Sequence, residues 1–90
     1  METTTITEEV LFFLYRNHYF NKRHTPVVNV CNKLSQFPCK LVKKELNKLY
    51  KVEIIRYKKT AHGMDVFLNV KMKRDIEKII SDRMYSLYSL

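Results

Sequence analysis

Residues 38–51 read PCKLVKKELNKLYK, and the pattern of this stretch decides the rest. At about 100° per residue, Val42, Leu46 and Leu49 fall within an arc of about 60°. Lys40, Lys44, Asn47 and Lys51 fall within a similar arc on the opposite side, flanked by Lys43 and Lys48. The spacing predicts a helix over 38–51 with one aliphatic face for a core and one basic face with a single amide at its centre. Pro38 suits the start of that helix, where a missing N–H costs nothing.

The charge balance gives the same stretch more weight. The 90 residues carry a formal net charge of +8. Residues 31–60 hold nine basic side chains against two acidic ones, a net +7, so nearly all the excess lies in the middle third. Clustered charge adds its field and steers an anionic partner, whereas charge kept for solubility alone has no reason to cluster.

Downstream, Val52–Lys59 is rich in strand formers and Met64–Val70 alternates, with Val66, Leu68 and Val70 against Asp65, Phe67 and Asn69. Between them lies Gly63, the one glycine in the sequence. A lone glycine between two such runs marks a turn that needs a positive φ. A hairpin follows, with Lys58, Lys59 and His62 at its tip. Residues 71–90 repeat Met72, Ile76, Ile79, Ile80, Met84 and Leu87 at helical spacing, with Asp75 and Glu77 early and Arg83 late, as the helix dipole favours.

Upstream, Thr5 and Glu8 fit a capping box before an apolar run. Ile6, Val10, Phe13 and Leu14 share a face, yet Leu11, Phe12 and Tyr15 make the helix apolar all round. Its second side either meets another chain or is enclosed by the monomer. Asn17–His24 reads as a polar connector with Tyr19 and Phe20 tucked in. Thr25-Pro26 reads as the start of a second helix, and Val27, Val30, Cys31 and Leu34 give that helix a stripe. Ser35–Pro38 breaks it.

The order is helix, helix, basic helix, β-hairpin, helix: mainly α with a small β-hairpin (α+β), in a single domain over 1–90. The stretch from Val42 through Leu46 and Leu49 to Ile55, with the basic face and the basic-tipped hairpin, resembles the winged helix-turn-helix family of DNA-binding proteins. The likeness covers about residues 5–70. The chain also looks like the small regulators carried by archaeal viruses and their hosts. Two positions depart from the family pattern. Glu53 stands where glycine often precedes the wing, and the turn Ser35–Pro38 lacks the usual small residue.

The resemblance implies that the third helix enters the major groove of double-stranded DNA, which has room for an α-helix. Lys40, Lys43, Lys44, Lys48 and Lys51 then meet phosphates or guanine edges. Asn47 is the candidate base reader, since an amide can bond adenine at two points. Arg56, Lys58, Lys59 and His62 would lie on backbone or the neighbouring minor groove. With no arginine on the basic helix, phosphate positioning should dominate and sequence preference should be modest. The family's extra helix implies a homodimer. Leu11, Phe12, Tyr15, Ile76, Ile80, Met84 and Leu87 are its candidate interface, with the last helix as core of its own monomer the competing reading. Two copies would place their basic helices about 34 Å apart on a palindrome. The same fold could instead hold an acidic protein surface. RNA is less favoured, because Tyr57 is the one candidate stacking platform near the basic residues.

Enzymatic chemistry, cofactors and metals are not expected. His18, His24 and Cys31 lack a second motif at zinc-like spacing. No residues form a nucleophile elbow, and one glycine cannot build a phosphate loop. Cys31 and Cys39 sit eight residues apart, either buried as thiols or bridged. Two cysteines do not make a disulfide scaffold, and an intracellular location is the default. The longest apolar run, Val10–Tyr15, is far short of the roughly 20 residues of a membrane helix, and no signal peptide is apparent.

Overall fold

Helix α1 spans Thr5–Arg16 and is followed by a two-residue strand β1 (Thr25–Pro26) and helix α2 (Val27–Lys33). Helix α3 (Cys39–Lys51), strands β2 (Ile55–Thr60) and β3 (Gly63–Leu68), a 3-10 turn (Val70–Met72) and helix α4 (Lys73–Tyr88) complete the chain. The computed structural model describes residues 4–88, and side chains as far as residue 84. The sheet is antiparallel in the order β1-β3-β2. The hairpin register runs from Ile55 opposite Leu68 to Thr60 opposite Gly63. This is the winged helix arrangement expected from the sequence, with one strand more than the hairpin alone.

That extra strand corrects the start of the second helix. Thr25 and Pro26 pair with Val66 and Asp65, and Pro26 is extended at φ −58°, ψ 141°. Proline is tolerated there because β1 is an edge strand and lacks a partner for a further N–H. The Thr25 hydroxyl still serves the helix, accepting from the Asn29 side-chain amide at 2.8 Å. Three other boundaries shift by small amounts. The α1 capping box is Thr4 with Thr7, one residue earlier than expected. Pro38 is the N-cap of α3 and not its first helical residue. The first hairpin strand begins at Ile55, because α3 runs to Lys51 and a tight turn follows.

Glu53 makes that turn. Its N–H donates to the Tyr50 carbonyl at 3.0 Å, and the Ile54 N–H reaches back to the Leu49 carbonyl at 2.9 Å. Ile54 and Leu49 are both buried. These two bonds and the apolar contact make a Schellman motif, whose C′ residue must be left-handed. Glu53 occupies it at φ 64°. The departure from the family pattern is therefore real backbone strain: a side chain sits where glycine fits at no steric cost. Asn69 braces the turn from the end of β3, its side-chain amide donating to the Glu53 carbonyl at 2.9 Å. At the hairpin tip Gly63 takes φ 132°, as its isolation between two strand-forming runs implies.

The core gathers Val10, Leu11 and Leu14 of α1, Val30 and Leu34 around α2, Val42, Leu46 and Leu49 of α3, Val66 and Leu68 of β3, and Ile76 and Ile80 of α4. Leu11, Ile76 and Ile80 are 0% exposed within this single chain. These three expected interface residues therefore offer no surface to a partner. They belong to the monomer's core, because α4 packs against α1 and absorbs its second apolar side. Phe12, Tyr15 and Met84 remain half-buried, and Leu87 lies outside the residues whose side chains are described. Polar contacts reinforce the α1–α4 seam, with Tyr15 bonded to Glu77 and Arg83 paired with Glu9.

Cys31 and Cys39 form a disulfide between the end of α2 and the first residue of α3. No helix among the described residues is long and apolar enough to cross a membrane.

Two outcomes follow. Glu53→Gly should stabilise the fold by about 1 kcal/mol, the cost of holding a non-glycine residue left-handed, read as a rise in thermal midpoint. Replacing both cysteines with alanine should cost about 2–3 kcal/mol in urea denaturation, from the loop entropy restored to the unfolded chain by opening a ring of nine residues.

Candidate nucleic-acid interface

The orientation of α3 is set from beneath. Val42, Leu46 and Leu49 are each 0% exposed, which turns the opposite face outward. A fourth inward residue is Glu45, which is buried, and the Thr7 hydroxyl donates to its Oε2 at 2.7 Å. Thr7 Oγ1 in turn accepts from the Thr4 backbone N–H at 3.2 Å. The N-cap of α1 and the middle of α3 are thereby joined through one chain of hydrogen bonds. Sequence reading missed this pair: Glu45 lies beside the aliphatic arc, but its partner is 38 positions away.

On the outer face, Lys40, Lys43, Lys44, Asn47, Lys48 and Lys51 are all exposed and line one shallow groove. The structure thus brings together all six sequence-predicted residues of the helix. The hairpin residues divide. His62 shares a hollow of about 460 Å³ with Lys43, Asn47 and Tyr57, floored by Pro26, Val27, Val28 and Met64. Lys58 and Lys59 are exposed near the tip. By strand alternation Arg56 and Lys58 lie on the face opposite Tyr57, away from α3. Arg56 instead stands 3.6 Å from Glu53, with both side chains largely exposed, and Lys58 pairs across the ladder with Asp65. Asp65 is buried and bonded to His24 Nδ1 at 2.6 Å.

Tyr57 is the second residue that sequence reading did not place at the site's centre. It stands on β2 facing α3, and its hydroxyl donates to Asn47 Oδ1 at 2.7 Å. Its ring packs on Tyr50 of α3, with centroids 5.1 Å apart and planes at 47°. Burial, and then the neighbouring Tyr50, push the Tyr57 pKa above the usual tyrosine value. The available signal was the alternation of β2: Ile55 must face the core, so Tyr57 must face the same way. Tyr50, Tyr57 and Asn47 together lock the hairpin to the basic helix.

No family model matches the sequence, and no curated protein matches it. Among solved structures, a MarR family protein from Bacillus stearothermophilus is similar, with a TM-score of 0.70 at 18% identity. The match covers 99% of this chain and 59% of that one, so the chain spans about three-fifths of its relative's length. At this identity the likeness is one of fold: this chain has the winged helix fold.

The Thr7–Glu45 bond is testable. Thr7→Val keeps the shape but removes both the donor to Glu45 and the acceptor of the Thr4 N–H in the capping box, and should cost about 1–3 kcal/mol in chemical denaturation.

Proposed function

We propose that this chain is a double-stranded DNA-binding regulator of transcription, intracellular, acting without catalysis or cofactor. The observation that carries the reading is the six exposed residues of α3, five of them lysines, on one surface beside the hairpin. In this reading α3 enters the major groove, and Lys59 and His62 reach backbone or the neighbouring minor groove. Lys58 and Arg56, on the far side of the hairpin, contribute through the field more than through contact. Lysines on an exposed helical face neutralise phosphates and release counterions, which binds duplex with modest sequence preference. The winged helix fold supports this reading, since it is the fold of the DNA-binding family the sequence resembles.

The homodimer belongs to the proposal, but on a smaller surface than the sequence suggested: Phe12, Tyr15 and Met84, with Leu87 beyond the described side chains. The likeness to small regulators of archaeal viruses and their hosts is compatible with the Cys31–Cys39 bridge, because intracellular proteins of hyperthermophilic archaea are rich in disulfides.

The test is a salt titration of duplex binding. Lys40→Ala, Lys44→Ala and Lys48→Ala combined should weaken binding to every duplex. The slope of log affinity against log salt should flatten by about 2.7, since each phosphate left without its lysine removes about 0.9. Undiminished duplex binding by this variant at physiological salt would remove α3 from the interface.

A further inference from the structure

The hydrogen bond between Tyr57 and Asn47 has a chemical consequence for what Asn47 can read. A primary amide is planar, with an acceptor at one end and an NH₂ donor at the other. Pairing with adenine uses both ends at once: Oδ1 accepts from the adenine N6 amino group while Nδ2 donates to N7. In this structure Oδ1 already accepts the Tyr57 hydroxyl at 2.7 Å. The hydroxyl is held in place, because the Tyr57 ring packs on Tyr50 and its strand is fixed in the ladder opposite Val66. One lone pair of Oδ1 is thereby engaged and the carbonyl is turned toward β2, so the NH₂ is the end left more open to a ligand. What Asn47 offers outward is the character of two N–H groups.

We propose that Tyr57 is a positioning residue that makes Asn47 a reader of guanine and not of adenine. Guanine presents two adjacent acceptors in the major groove, N7 and O6, and no donor. An NH₂ group whose carbonyl is engaged elsewhere suits that edge. Adenine, by contrast, would set its N6 amino group against a carbonyl oxygen already turned away. The inference rests on the DNA-binding reading above and revises the adenine pairing that the residue type alone suggests. Lys43, one helical turn before Asn47 in the same hollow, adds a further donor and no acceptor. Lys43 and the Asn47 NH₂ together thus favour an acceptor edge.

The experiment is selection of bound sequences from a random duplex pool, run in parallel on the wild type, Tyr57→Phe, Asn47→Ala and the double variant. Direct titration on the selected duplex and its guanine-to-adenine counterpart follows. Tyr57→Phe keeps the ring on Tyr50 and removes only the donor, and a thermal melt confirms that it folds. The wild type should select guanine at one position per site and bind it about tenfold better than adenine. Tyr57→Phe should reduce that ratio to about threefold or less. A residue that merely held the hairpin in place would weaken guanine and adenine duplexes alike and leave their ratio unchanged. Asn47→Ala should abolish the preference, and the double variant should match Asn47→Ala alone. Selection of adenine by the wild type, or an unchanged guanine preference in Tyr57→Phe, overturns the inference while leaving DNA binding intact. Failure of the wild type to bind any duplex defeats the functional reading itself, and this inference with it.

Discussion

Val42, Leu46 and Leu49 lie wholly buried on one side of α3, and their burial fixes which way the helix's charge faces. Each such side chain contributes about 1.5–3 kcal/mol relative to exposure, so rotating α3 by half a turn is not an available alternative. The same rotation would bury five lysines, whose charges cannot leave water unpaired. Glu45 adds direction to this apolar restraint. A buried carboxylate satisfied by a hydroxyl of α1 has a definite partner and distance, which hydrophobic packing alone does not supply. The outward basic surface is thus a product of what the inner face requires.

How much of this could be read from the residues depended on whether each element declared itself locally. The basic helix was legible because fourteen residues repeat one pattern, and the hairpin because a single glycine separates two β-rich runs. The two-residue strand β1 was not, since two residues carry no period and Thr25-Pro26 has the composition of a helix start. Its pairing with β3 is settled by tertiary contact. The surplus apolar surface of α1 and α4 was visible, but its destination was not: Leu11, Ile76 and Ile80 satisfy one another inside the chain. The site divided along the same line. The lysines of α3 followed from periodicity, whereas Thr7–Glu45 and Asn47–Tyr57 are meetings of distant segments that no local pattern announces.

Glu53 shows a different relation between residue and structure. Its sequence position already departed from the family pattern, and the backbone there is left-handed all the same. The fold imposes the Schellman turn because α3 must end before the hairpin begins, and Asn69 and Ile54 hold the turn from both sides. Local preference yields to the surrounding contacts, at a cost of about 1 kcal/mol.

The strand β1 and the disulfide together have a mechanical meaning. β1 stitches the approach to α2 onto β3 of the hairpin, Cys31–Cys39 fastens α2 to α3, and Tyr57 fastens β2 to Asn47. Every edge of the triangle formed by α2, α3 and the hairpin is closed, so these elements form a stiff calliper of set span, and under the proposed function this rigid body is what would meet the double helix. Stiffness on one side shifts deformation to the other. Duplexes whose grooves already match that span, or flex toward it cheaply, would be gripped best, and discrimination would extend to base pairs that no side chain touches.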